Sequence, residues 1–357
     1  MGRSTFAAGP NNSFAIDVDG KIWMIDNTGV TQITRNGYLP PMVAIAVGCM
    51  HRLAIDEAGN VWGWGSNSNY TLGISTSGLI EHPEQIPIPP GVEVVAISCG
   101  DFHSILLDSD GCVWGAGNNH TGQLGFPETN TPNHHFVKNS FLQNIQAIVS
   151  AGHFNLFLDI NDKVWTCGDL MSLTIIPKVV EGVPPIKEVV AGVKFCLLLD
   201  FEGVVWVFGV NDYGQLATGS TKSIHAPYKI HEKILPVAIK TCGAGWNFTV
   251  FLAEDDTVWT CGCNTHGTLG IGSDSMTRFG MKIPIKVEGV PPFRAVSCGW
   301  NHSIFLDHDG FIWGCGEGKK IPFQTSMSVD YITKIAMPQQ IKLPDANRHV
   351  KSARNVL

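Results

Sequence analysis

Ser98-Cys99-Gly100-Asp101-Phe102-His103-Ser104-Ile105-Leu106-Leu107-Asp108-Ser109-Asp110-Gly111-Cys112-Val113-Trp114-Gly115 decides how the whole chain is read. Its apolar run from Ser104 to Leu107 reads as a strand, and Asp108-Ser109-Asp110-Gly111 reads as a tight hairpin turn, because Gly takes the positive φ that such turns require. Cys112-Val113-Trp114-Gly115 then returns as the next strand. Upstream, Val94-Val95-Ala96-Ile97-Ser98 is a further strand, and a segment around Glu84-Gln85-Ile86-Pro87-Ile88 is expected to supply the outer strand of the same four-stranded unit.

The pattern recurs seven times. Its tryptophans are Trp23, Trp62, Trp114, Trp165, Trp206, Trp259 and Trp313, and its leading glycines Gly9, Gly48, Gly100, Gly152, Gly192, Gly245 and Gly299. In six copies the Trp lies 14 residues after the Gly, and in the fourth it lies 13 after. Successive tryptophans are 39, 52, 51, 41, 53 and 54 residues apart, a period suited to four-stranded blades and too long for ankyrin or tetratricopeptide units. Helical periodicity is almost absent. The expected fold is therefore all-β: a seven-bladed β-propeller with four-stranded blades, its ring closed between the N- and C-terminal segments. Residues 1–344 are assigned to the propeller. Residues 345–357 form a basic C-terminal segment expected to add to the closure.

Composition agrees with many short strands and tight turns. Of 357 residues 44% are hydrophobic and only 15% charged, with 39 Gly, 10 Trp and 18 Phe. The net charge of −7 opposes binding to phosphate backbones, which depends on Lys and Arg, so nucleic acid is not an expected partner. No apolar run approaches the ~20 residues of a membrane span, and the first residues contain no secretory core. Ten cysteines in such a chain read as reduced thiols. Together these features predict a monomer of the cytoplasm or nucleus.

Several copies continue past the Trp into Gly-x-Asn-x-x-Gly-Gln-Leu-Gly, best seen at Gly117-Asn118-Asn119-His120-Thr121-Gly122-Gln123-Leu124-Gly125. With Ser98-Cys99-Gly100-Asp101-Phe102-His103-Ser104 and Ser297-Cys298-Gly299-Trp300-Asn301-His302-Ser303, this resembles the regulator of chromosome condensation repeat family. The resemblance implies a seven-bladed propeller. Similar propellers include the guanine nucleotide exchange factor for the small GTPase Ran, ubiquitin-ligase modules, ciliary scaffolds, a plant ultraviolet-B receptor and bacterial inhibitors, so the fold alone does not choose a function. For the exchange factor, the resemblance matches Asp101 and His302 to the acidic and histidine residues of its binding face. Light sensing is disfavoured, since Asn247 and Asn301 stand where the plant receptor carries Arg.

No nucleophile–base pair, phosphate loop or zinc helix is present, and no catalytic residue, cofactor or metal is assigned. The acidic turns at Asp17, Asp108 and Asp307 begin like calcium loops, but Lys21, Cys112 and Phe311 stand at the fifth position where an oxygen ligand belongs. His51, His103 and His302 share one slot three residues after the Gly, where a structural bond to the neighbouring turn is expected. The variable residues directly after each Gly should gather on one face. There Met50, Asp101, Phe102, Phe154, Trp246, Trp300, Asn301 and His302 are the candidate partner-binding residues, because aromatics in polar turns are typical interface anchors. Loops 126–139, 217–233, 271–282 and 317–330 form a second candidate surface. The reading is a protein-binding module whose partner is a small GTPase of the Ran or Rab type, with exchange activity or other regulation; the alternative is a scaffold or inhibitor that binds without exchange.

Overall fold

The computed structural model describes residues 5–10, 12–26, 29–127, 132–272, 280–317 and 334–341. Seven antiparallel sheets of four strands each stand around a central channel, at residues 6–32, 42–85, 94–138, 145–179, 186–229, 239–286 and 293–341. No helix occurs among the described residues. Each blade is continuous in sequence. In the third, the inner strand Val94–Cys99 pairs with His103–Asp108, which pairs with Val113–Gly117, which pairs with the outer strand Asn133–Lys138.

This continuity corrects one expectation. Glu84 and Gln85 belong to the outer strand Leu79–Gln85 of the second blade, not to the blade that contains Val94. A cyclic repeat looks alike from any starting point, so its phase is fixed only by the pairing. Similarly, Gln339 to Ile341 lie in Lys334–Ile341, the outer strand of the seventh blade. Among the described residues no strand is exchanged at the closure. Blade one packs face to face on blade seven through Phe6, Ala15, Trp23 and Ile25 against Ile304, Leu306, Ile312 and Ile341. Residues 345–357, assigned to the seam, lie outside the described residues.

The core is a set of wedges between neighbouring blades. Every residue of the second strands His103–Asp108, Phe154–Asp159, Phe195–Asp200, Phe248–Ala253 and His302–Asp307 is buried, because both sheet faces are covered. Outer strands meet solvent, and five carry a proline (Pro83, Pro177, Pro227, Pro284 and Pro338), which blunts the open edge.

Two side-chain devices repeat. In the first, the turn aspartate caps its hairpin and clamps the repeat tryptophan. Asp108 Oδ1 accepts from the backbone N–H of Asp110 (3.1 Å) and Cys112 (2.8 Å), and Oδ2 accepts from Trp114 Nε1 at 2.8 Å. Asp17, Asp56, Asp159, Asp200 and Asp307 hold Trp23, Trp62, Trp165, Trp206 and Trp313 in the same way. These carboxylates are committed to turn and indole, as expected of hairpins rather than calcium loops.

The second device is the histidine slot, which bonds to the next blade's second strand rather than to its turn. His51 Nε2 lies 2.9 Å from Ser104 Oγ, His103 Nε2 lies 2.9 Å from Asn155 Oδ1, and His302 Nε2 lies 2.7 Å from Ser13 Oγ, across the seam. Between blades one and two the sizes invert. The slot holds the smaller Asn12, and Arg52 of the next blade fills the gap, its Nη2 donating to Asn12 Oδ1 at 3.0 Å. The slot rings also explain the leading glycines: a Cβ on Gly100 would strike the ring of His103, and one on Gly245 that of Phe248.

Candidate functional site

The turns between inner and second strands do gather at one end of the channel. Gly9, Gly48, Gly100, Gly152, Gly192, Gly245 and Gly299 line its mouth, with Pro10, Cys49, Asp101, Val193 and Trp300 around them, and the cavity there narrows to about 100 Å³. Neighbouring turns are bonded to each other. The Asp101 N–H donates to Gly152 O at 2.9 Å and the Trp246 N–H to Trp300 O at 3.3 Å, so these turns brace one another in pairs.

The eight candidate residues divide by position. Met50 is 59% exposed and Trp246 43%. The Trp246 and Trp300 rings lie 5.0 Å apart at 45°, forming one two-ring surface over blades six and seven. Phe102, half-buried, packs on the His153 ring at 5.8 Å. Asn301 donates through Nδ2 to Glu317 Oε2 at 3.2 Å. Asp101 sits at the mouth, where burial raises its carboxyl pKa above the ordinary range and the neighbouring His153 opposes the rise. Burial, then Asp101 itself, raises the Cys49 thiol in turn.

Two residues are not on this surface. Phe154 is fully buried at the start of its strand, in the core between blades four and five. The reason is register: Ala151 pairs with Phe154, and the residue 14 before Trp165 is Ala151, not Gly152. Phe154 thus occupies the histidine slot, and Gly152-His153 forms the turn. His302 is also fully buried, holding Ser13 across the seam. A histidine there cannot meet a partner without opening the ring.

The opposite end carries the hairpin turns, where Val18 (52%), Ile160 (61%) and Phe201 (62%) are exposed. That surface escaped the sequence reading, although an apolar residue directly after each of these three turn aspartates was a visible signal. Among the described residues no group of three or more His, Cys, Asp or Glu is placed to hold a metal ion, and no helix is long and apolar enough to cross a membrane. All ten cysteines are free thiols. Burial pushes Cys99, Cys167 and Cys298 up to about 12, so these are packing groups rather than nucleophiles.

The ring therefore presents a mouth edged by Asp101 and Trp300, with the Trp246 ring packed beside it. The model of the RCC1-like domain matches residues 27–355, and the chain belongs to that family. Among curated relatives it is 27% identical over 373 residues to the guanine nucleotide exchange factor SRM1 of Saccharomyces cerevisiae, covering 85% of this chain and 77% of SRM1. It is 26% identical over 312 residues to the ultraviolet-B receptor UVR8 of Arabidopsis thaliana, covering 81% of this chain and 68% of the receptor. The crystal structure of human WBSCR16 superposes with a TM-score of 0.76 at 19% identity, covering 88% of this chain and 84% of that one. The chain is thus homologous both to a protein named as a guanine nucleotide exchange factor and to one named as an ultraviolet-B receptor.

Proposed function

We propose that this chain is a monomeric protein-binding propeller that regulates a small GTPase of the Ran or Rab type, in the cytoplasm or nucleus, through the face of the inner-strand turns. The observation that carries the reading is the exposed Met50 and the Trp246–Trp300 pair on bonded turns around the acidic mouth at Asp101. Preformed aromatic anchors bind a protein surface at little entropic cost. Kinship with SRM1, named as an exchange factor, supports the partner class. An exchange factor needs no catalytic group of its own; it binds the nucleotide-free state better than the loaded one, and that difference in affinity drives release.

The test is release of fluorescent GDP from Ran and from a panel of Rab and Rho proteins. One GTPase should release nucleotide at least tenfold faster with this protein, and the Asp101→Ala, Trp300→Ala variant should lose most of the gain. A flat response across the panel contradicts exchange. One observation favours binding without exchange: His302, matched by resemblance to the exchange machinery, is sealed in the seam. On that reading the same face captures a GTPase whose release rate does not change.

A further inference from the structure

The channel below the mouth contains a group that neither the turn face nor the repeat uses. The cavity there is about 340 Å³, within the range of small-ligand pockets, and is lined mainly by small and apolar residues of the inner strands, such as Ala44, Ala96 and Val190. Strand register compares the blades directly. The inner-strand residues opposite Ile55, Leu107, Leu158, Leu199, Leu252 and Leu306 are Ala44, Ala96, Ala147, Glu188, Thr241 and Ala295. A carboxylate has replaced Ala or Thr in blade five alone of these six.

Glu188 is held on one side only. Its Oε1 accepts from Thr241 Oγ1 of the next blade at 2.8 Å, and Oε2 accepts from no group among the described residues. Lys187, the preceding residue of the same strand, also lines the cavity and lowers the Glu188 carboxyl, without an ion pair to it among the described residues. Cys242 lines the cavity from blade six, and burial, then the Glu188 carboxylate, raises its thiol. One wall away, Ser150 carries a buried hydroxyl without a hydrogen-bond partner. A carboxylate in such a place is costly unless a cation meets it.

We infer that the channel at Glu188 is a binding site for a small organic cation bearing one ammonium or amidinium group, with the Glu188 carboxylate as its counter-ion and the apolar walls around its body. The site is independent of the GTPase reading. Burial raises Glu188 to about 7, against Thr241 and Lys187, which both lower it. A cation therefore binds best above that pH, where the carboxylate is ionised.

Calorimetric titration of the full chain with benzamidine and with n-butylamine at pH 8 tests this, with benzamide and n-butanol as uncharged controls. Saturable binding of at least one cation is expected, weakened at least tenfold in Glu188→Gln and roughly tenfold at pH 6 in the wild type, one unit below the carboxyl's own value. Removing a buried charge leaves Glu188→Gln folded, which its melting temperature checks, so lost binding is not unfolding. Absence of saturable binding of either cation at millimolar concentration overturns the inference. So does equal affinity in Glu188→Gln, or equal affinity for the uncharged controls.

Discussion

Asp108→Ala is expected to lower the stability of the chain by ~3 kcal/mol, the cost of leaving three donors without an ionised acceptor. The carboxylate is only 5% exposed and holds both the hairpin and the indole of Trp114, so its loss frees the turn and the third strand together. The sixth blade supplies an internal control. Ala253 stands there in place of Asp, and the Trp259 Nε1–H donates to Thr257 Oγ1 at 3.0 Å instead. Thr257→Val removes that neutral acceptor together with the exposed bond from Thr257 Oγ1 to Asp255 Oδ1, and should cost only ~1 kcal/mol, since the exposed pair is replaced by water. Urea unfolding of both variants separates the cases, and equal losses would show that the clamp is no more than a local bond.

Acidification should unfold the ring through its inter-blade histidines. Burial holds His51 down to about 3, helped by His103 and Arg52, and holds His103 down to about 4. The geometry at His103 shows why. The Asn155 amide nitrogen donates to Gln123 O, so its Oδ1 accepts from His103 Nε2, and His103 Nδ1 is buried without a partner. A second proton would sit there with no acceptor. Both folded values lie below the ordinary ~6.5 of an unfolded histidine, so the unfolded chain takes up protons first and stability falls as pH drops from 6.5 towards 4. By pH 4.5 the cost is about 2.5 kcal/mol for each histidine. His51→Phe with His103→Phe copies the ring found naturally in the slots of Phe154, Phe195 and Phe248, and should flatten the fall measured by denaturant unfolding between pH 7 and 4.5. An unchanged slope would place the acid sensitivity elsewhere.

The seven tryptophans, the Asp-x-x-Gly turns and the slot residues were legible in the sequence because each is a local chemical demand repeated at fixed spacing. Blade phase was not, since the outer strand Leu79–Gln85 lies between two similar units and only hydrogen bonding assigns it to the earlier one. Phe154 was misplaced for a related reason: Gly152 imitates the leading glycine, while the pairing of Ala151 with Phe154 sets the true register. The candidate face was half legible. Asp101 and Trp300 line the mouth and Met50, Phe102 and Trp246 stand in the same turns, while contacts between turns, such as Trp246 with Trp300, join positions 54 residues apart. Glu188 was invisible, because an acid in an apolar strand gains meaning only once six other blades surround it.

The most direct test of the account is binding of nucleotide-free GTPase, from the family member that responds best, to three forms of the protein. These are the wild type, a turn-face variant with Met50→Ser, Trp246→Ser and Trp300→Ser, and an opposite-face variant with Ile160→Ser and Phe201→Ser. The turn-face variant should lose at least a hundredfold in affinity, while the opposite-face variant binds like the wild type. The reverse pattern, with binding lost only when Ile160 and Phe201 are changed, would contradict it.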